Sequence, residues 1–182
     1  MGGDGAHDRF PGSCTVRRIL AEERTEGVMA FMTVEQAQEM LEPGGHFPSW
    51  VAELGLRIEA ISAQGLRARL PRAPHIQRAG GVVLGQALMA MADTMLVFTF
   101  AEALGRLPSM ATISLTTNFM RAAVDCDVIG QARALKLGRS TVFGEVTFFT
   151  DADPAPIAQS TAAFAVLPDG NAKFTRVGAK GV

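Results

Sequence analysis

The chain has 182 residues, 48% of them hydrophobic and 19% charged, with a formal net charge of -1. That length is one globular domain with short extensions, and so little charge excludes a global electrostatic case for nucleic acid. The apolar composition points to surface covered by another subunit, and two cysteines with three scattered histidines leave no disulfide framework and no zinc site.

Residues 1–31 are glycine-rich and then charged (Arg17-Arg18, Glu22-Glu23-Arg24), and read as a flexible N-terminal extension with a short helix near Val16 to Glu23. No apolar stretch in the first twenty residues resembles a signal peptide, so the expected location is the cytoplasm. Thr33, with Gln36 three residues on, predicts a capping box and a short helix to about Glu42, ended by Pro43-Gly44-Gly45. From Leu54 the period is two. Leu54, Leu56, Ile58 and Ala60 alternate with Gly55, Arg57, Glu59 and Ile61, Gln64-Gly65 turns, and Leu66, Ala68 and Leu70 alternate with Arg67 and Arg69, which makes a hairpin.

The run from Leu84 to Leu104 is rich in Ala, Leu and Met, free of proline, and stopped by Gly105 and Pro108, so it predicts one long helix. It is apolar on nearly every side, and such a helix is buried on most of them. A membrane span fits its length, but the acid in its middle and the strands that follow argue against that. Gln86 and Asp93 lie seven residues apart on one face. A carboxylate among Met89, Met91, Met95 and Val97 loses hydration, which costs several kcal/mol unless partners or a raised pKa compensate. Asp93 is therefore an acid whose oxygens accept bonds from a neighbouring loop's amides, an acid at the helix edge reaching water, or a functional one.

Alternation returns at Met110. Ala111, Ile113, Leu115, Thr117 and Phe119 share one face, and Thr112, Ser114, Thr116, Asn118 and Met120 the other. Strands Val128 to Leu137, Thr141 to Thr150 and Ile157 to Leu167 follow as a meander with short turns, closed by Pro168-Asp169-Gly170-Asn171 and a polar tail over 171–182. The order is short helix, two strands, long helix, four strands. This is an α+β class in which a curved, mostly antiparallel sheet wraps the helix only in part, so pairing of two copies is expected.

This order, with Gly80-Gly81-Val82-Val83-Leu84-Gly85, Asp93 on the helix, and the strand Ala111-Thr112-Ile113-Ser114-Leu115-Thr116-Thr117-Asn118-Phe119-Met120-Arg121, resembles the hotdog-fold acyl-CoA thioesterases of the PaaI-like (phenylacetate-degradation) branch. The resemblance covers about Pro48 to Leu167 and makes 32–170 the hotdog domain. It implies an acyl-CoA substrate, no cofactor or metal, and a homodimer or dimer of dimers with the pocket between subunits. By position, Asp93 is the general base or the acid that orients water or thioester, and the Gly85 amide polarises the thioester oxygen. Relatives carry His-Gly-Gly where this chain has Leu84-Gly85-Gln86, so the imidazole is missing while the amide is kept. Thr112 would position water or thioester across the dimer, and Arg78 stands where relatives place Asn or Gln near the substrate.

These parts suit thioester hydrolysis, which needs an activated water and a stabilised oxyanion. A helix N-terminus offers unpaired N–H groups, and a desolvated Asp with a pKa moved toward neutrality can take a proton. Eight residues separate Gly85 from Asp93, about 12 Å of axial rise, so the two must meet across a two-fold. Arg121, Lys136 and Arg139 are candidates for the coenzyme A phosphates, Gln86 and Asn118 for pocket lining, and Met89 and Met95 for a pliable acyl pocket.

Rival readings are a hotdog protein that binds acyl-CoA without turnover, and a hydroxyacyl dehydratase. The second rests on Gly45-His46-Phe47-Pro48, which resembles the dehydratase His-Phe-Pro but lies before the first strand rather than directly before the helix. His75 reads as a loop residue capping a turn. No Gly-x-Ser-x-Gly elbow or phosphate loop occurs, and Cys126, between Asp125 and Asp127, is expected to have a raised pKa and no nucleophilic role.

Overall fold

The computed structural model describes residues 30–168. The expected helix near Val16 to Glu23, most of the N-terminal extension and the tail over 171–182 lie outside the described residues. Two short helices open the described chain, α1 (Val34–Glu39) and α2 (Ser49–Ala52). Thr33 forms the predicted capping box with Gln36 at the start of α1, which ends earlier than the Pro-Gly signal implied. The hairpin follows as β1 (Arg57–Ser62) and β2 (Gly65–Leu70). Leu54 and Leu56 are buried but precede the strand, because α2 and its turn occupy the chain up to that point.

After β2 a 3-10 turn (Pro74–Ile76) leads into a two-stranded ribbon, β3 (Gln77–Arg78) and β4 (Val82–Val83). The central helix α3 (Gly85–Leu104) ends at Gly105, whose φ of 63° is the left-handed stop that the sequence predicts. Four strands complete the chain, β5 (Met110–Phe119), β6 (Val128–Leu137), β7 (Thr141–Thr150) and β8 (Asp153–Val166). The last begins four residues before Ile157 and takes in Pro154 and Pro156.

The six-stranded sheet has the order β1-β2-β6-β7-β8-β5, antiparallel at every pairing. Its inner face is built from the apolar partners of the alternation: Leu66, Ala68 and Leu70, then Val128 and Ala132, then Val142, Val146 and Phe148. Helix α3 lies across this face, and Met91, Met95, Leu96, Phe98 and Phe100 are fully buried there. Two sheet glycines let the helix come close. A Cβ on Gly130 would lie 2.6 Å from Met95 Sδ, and one on Gly144 would lie 2.6 Å from Leu96 Cδ2 and 2.9 Å from Phe100 Cζ. By length and composition α3 could cross a membrane, yet most of it is buried by its own sheet, which accounts for its apolarity.

The sheet covers α3 on most sides but not all. Gln86, Met89, Ala90, Asp93 and Val97 recur at helical spacing and are exposed or half-buried, so one stripe of the helix is open. The two sheet edges differ. At β1, the Gln38 side chain donates to Leu56 O at 3.1 Å and accepts from Ile58 N at 2.9 Å, which occupies backbone groups at that edge. At the other edge, β5 pairs only with β8 among the described residues.

Candidate active site

Asp93 stands halfway along the open stripe of α3, half-buried rather than sealed. Its Oδ1 accepts a hydrogen bond of 2.8 Å from Thr112 Oγ1. Strict alternation predicts that Thr112 faces away from Leu115, and the dimer reading puts Thr112 across the interface. The first of these expectations needs correction. The pairing of β5 with β8 shifts register between Thr112 and Ser114, and this bulge turns Thr112 onto the helix and leaves Ile113 59% exposed. Acid and hydroxyl therefore meet within one chain. Beyond the bulge the inward positions are Leu115, Thr117, whose hydroxyl lies 2.7 Å from that of buried Ser160, and Phe119.

Gly85 is the first residue of α3. The N-cap Leu84 supplies no side-chain cap; its own N–H donates to Ile76 O at 2.8 Å, and its carbonyl accepts from Ala87 N at 3.1 Å and Leu88 N at 3.3 Å. Among the described residues the amides of Gly85 and Gln86 have no acceptor. Two N–H groups at the positive end of a 20-residue helix are thus free to take a partial negative charge. The Phe119 ring packs on Gly85, since a Cβ there would be 2.9 Å from Cζ and 3.1 Å from Cε1.

The other expected residues divide by place. Gln86, exposed, shares the open stripe with Asp93, and Arg78, exposed on β3, carries no ion-pair partner among the described residues. Met89 is 37% exposed beside them, whereas Met95 is fully buried against Gly130 and lines the core instead of a pocket. Arg121 is engaged at home: it donates 2.6 Å to Asp153 Oδ2 and 3.2 Å to Pro156 O, and also binds Ala155 O. Asn118 is exposed opposite Gln159, in alternation with the inward Thr117 and Phe119. Lys136 and Arg139 lie at the far end of the sheet, beside Ser140, which bonds Val166 at the Met110 end of β5. A single chain does not bring them to Gly85.

His75 Nε2 lies 2.7 Å from Glu53 O, tying two loops, and His46 stacks edge-on against Phe47 with ring centroids 5.3 Å apart. The open groove beside His46, lined also by Phe31, Met40 and Leu107, includes none of the residues around Asp93. The Cys126 thiol is pushed up chiefly by burial, with Asp127 and Asp125 adding to it. Sequence reasoning passed over Glu102, which is 7% exposed and accepts from Phe31 N at 3.0 Å and Met32 N at 3.1 Å. Those partners sit some seventy positions away, and no local pattern announces them.

Comparison with known proteins gives a consistent picture. The family model described as the thioesterase superfamily matches residues 80–157, from the glycine pair before β4 into β8. A Mycobacterium tuberculosis protein provisionally designated an esterase is 30% identical over 105 residues, which are 56% of this chain and 75% of the relative. A Silicibacter protein provisionally described as a thioesterase superposes with a TM-score of 0.66 at 27% identity, over 79% of this chain and 97% of the other. A thioesterase of Haemophilus influenzae superposes with a TM-score of 0.66 over 75% of this chain and 91% of its own, and at 20% identity it supports the fold alone.

Proposed function

The chain belongs to the thioesterase superfamily and has its hotdog fold, and on that premise we propose that it is a cytoplasmic acyl-CoA thioesterase of the PaaI-like branch, working as a homodimer or a dimer of dimers. The observation that carries the reading is Asp93, half-buried on the open stripe of an otherwise apolar helix and held by Thr112. Thr112 holds one carboxylate oxygen, and the acid stands on a face that its own sheet leaves open.

In this reading, a water hydrogen-bonded to the Asp93 carboxylate attacks the thioester carbonyl carbon and gives its proton to that carboxylate. The carbonyl oxygen becomes an oxyanion and is held by the Gly85 amide, with the Gln86 amide beside it. Collapse breaks the C–S bond, and the CoA thiolate leaves and takes up the proton from Asp93. About 12 Å of helix rise separates acid and amide in one chain, so they serve one carbonyl only if the amide comes from a second copy. The free edge of β5 supports this: Thr112 and Phe119 both stand on that strand, and a copy paired along it would bring its own helix start towards Asp93. Arg78 is the cation best placed for the CoA phosphates in one chain, and Lys136 and Arg139 would act from the other.

Thiol release from short, long and aromatic acyl-CoA esters tests this. Turnover to free acid and CoA is expected. CoA-ester binding without turnover would leave the binding module in its place, and loss of water from a hydroxyacyl ester would favour the dehydratase.

A further inference from the structure

Phe119 lies on the inward register of β5, yet it is 54% exposed. Met110 and Leu115, on the same register, are partly buried against the core. Phe119 is too far along the strand for that, because the helix begins at Gly85 and the ring edge meets its first residue, with Cζ, Cε1 and Cε2 at 2.9, 3.1 and 3.5 Å from where a Gly85 Cβ would be. An aromatic ring thus closes one side of the helix start whose two amides are unpaired. Met120, the next residue, is 51% exposed.

We infer that Phe119 sets which acyl groups the protein accepts, by walling the acyl side of the carbonyl held at Gly85. This rests on the proposed thioester hydrolysis. The ring stands against Gly85 on the side that a Cβ would take, and in the proposed pose a carbonyl hydrogen-bonded to the Gly85 amide has it as a neighbour. The two substituents on the carbonyl carbon differ sharply in chemistry. One leads to a polyanionic coenzyme, which calls for cations such as Arg78; the other is hydrocarbon and suits an uncharged ring. The ring takes the hydrocarbon. Its bulk then limits substitution on the carbon next to the carbonyl, so chains unbranched there pass, and acyl groups branched or carrying a ring directly at that position are resisted.

The test compares wild type, Phe119→Leu and Phe119→Ala on acetyl-, straight-chain, branched and benzoyl-CoA, by thiol release. It adds calorimetric binding of free CoA and of non-hydrolysable acyl-CoA thioethers. The expected result is a rise of about tenfold or more in the kcat/KM ratio of branched and aromatic esters to acetyl-CoA for Phe119→Ala, the size that one pocket methylene or ring contact commands. Phe119→Leu should fall between, and affinity for free CoA should not move. Parallel changes across all esters, a loss of free-CoA affinity, or a changed sedimentation mass with unaltered selectivity would each overturn the inference. If wild type hydrolyses no ester, the hydrolase reading fails by itself, and the thioether series still reports whether Phe119 selects the acyl group. Phe119→Leu keeps the test alive if the alanine variant does not fold.

Discussion

Gly85 is the position where the smallest change has the sharpest expected cost. An alanine there suits the first turn of a helix, but its methyl would press on Phe119 at 2.9 Å, and the exposed ring must swing away. Stability should therefore change by no more than about 1 kcal/mol, while kcat falls about 100-fold as the amide's approach is spoiled; thermal melting and steady-state kinetics separate the two. Thr112 donates a hydrogen bond to the Asp93 carboxylate, and in the proposed reaction it acts through that acid. Thr112→Val should lower kcat about tenfold with KM little changed, a magnitude fitting one bond to a charged group, and Thr112→Ser should restore it. As a candidate, Asp93 was legible from sequence because an acid in the middle of so apolar a helix stands out. The intrachain partnership with Thr112 was not, because a one-residue bulge in β5 reverses the alternation by which faces are read.

At the scale of the elements, the long helix was readable from its composition and its Gly-Pro stop, and the last four strands because each runs for ten or more residues between turn signals. The pieces missed were too short to show a period: α2 has four residues, β3 and β4 two each, and their geometry is set by what they pack against. Close packing of α3 on the sheet has a testable order. A methyl on Gly144 meets Leu96 and Phe100 side chains and the Arg133 backbone oxygen at 3.0 Å, whereas one on Gly130 meets the ends of Met95 and Met91, which bend more easily. Gly144→Ala should cost about 1–3 kcal/mol in urea unfolding and Gly130→Ala less; equal costs would contradict this account of the helix seat. Glu102 ties the chain entering α1 to the last turn of α3 by accepting hydrogen bonds from two backbone amides, one part-buried and one buried. Glu102→Leu should expose the amides of Phe31 and Met32 to hydrogen exchange while leaving those of the β6–β7 ladder protected.

For the molecule as a whole, the outer face of the sheet is stitched by charge. Arg69 binds Glu59 at 2.6 Å, Asp127 at 3.2 Å and Asp151 at 2.5 Å, joining β1, β2, the start of β6 and the β7–β8 turn. Glu59 is held below the usual carboxylate range, against the opposing effect of its partial burial, by Arg67 and Arg69. Asp151 is held down by Arg69, and Asp153 by the Ala155 amide and Arg121. Because these folded-state values lie below the unfolded ones, their stabilisation is complete above about pH 4–5 and is lost as pH falls through the folded values. The melting temperature should hold between neutral and mildly acid pH and drop below about pH 4, and Arg69→Gln should flatten the drop. Sheet and helix leave a stripe and an edge uncovered, and it is on that stripe that the reaction is proposed to occur. The direct measurement is thiol release from the best acyl-CoA ester by wild type and by Asp93→Asn, matched in melting temperature and sedimentation mass. The account predicts turnover by wild type and a kcat lowered at least about 100-fold in the variant; equal turnover by the two would remove Asp93 from the chemistry and contradict it.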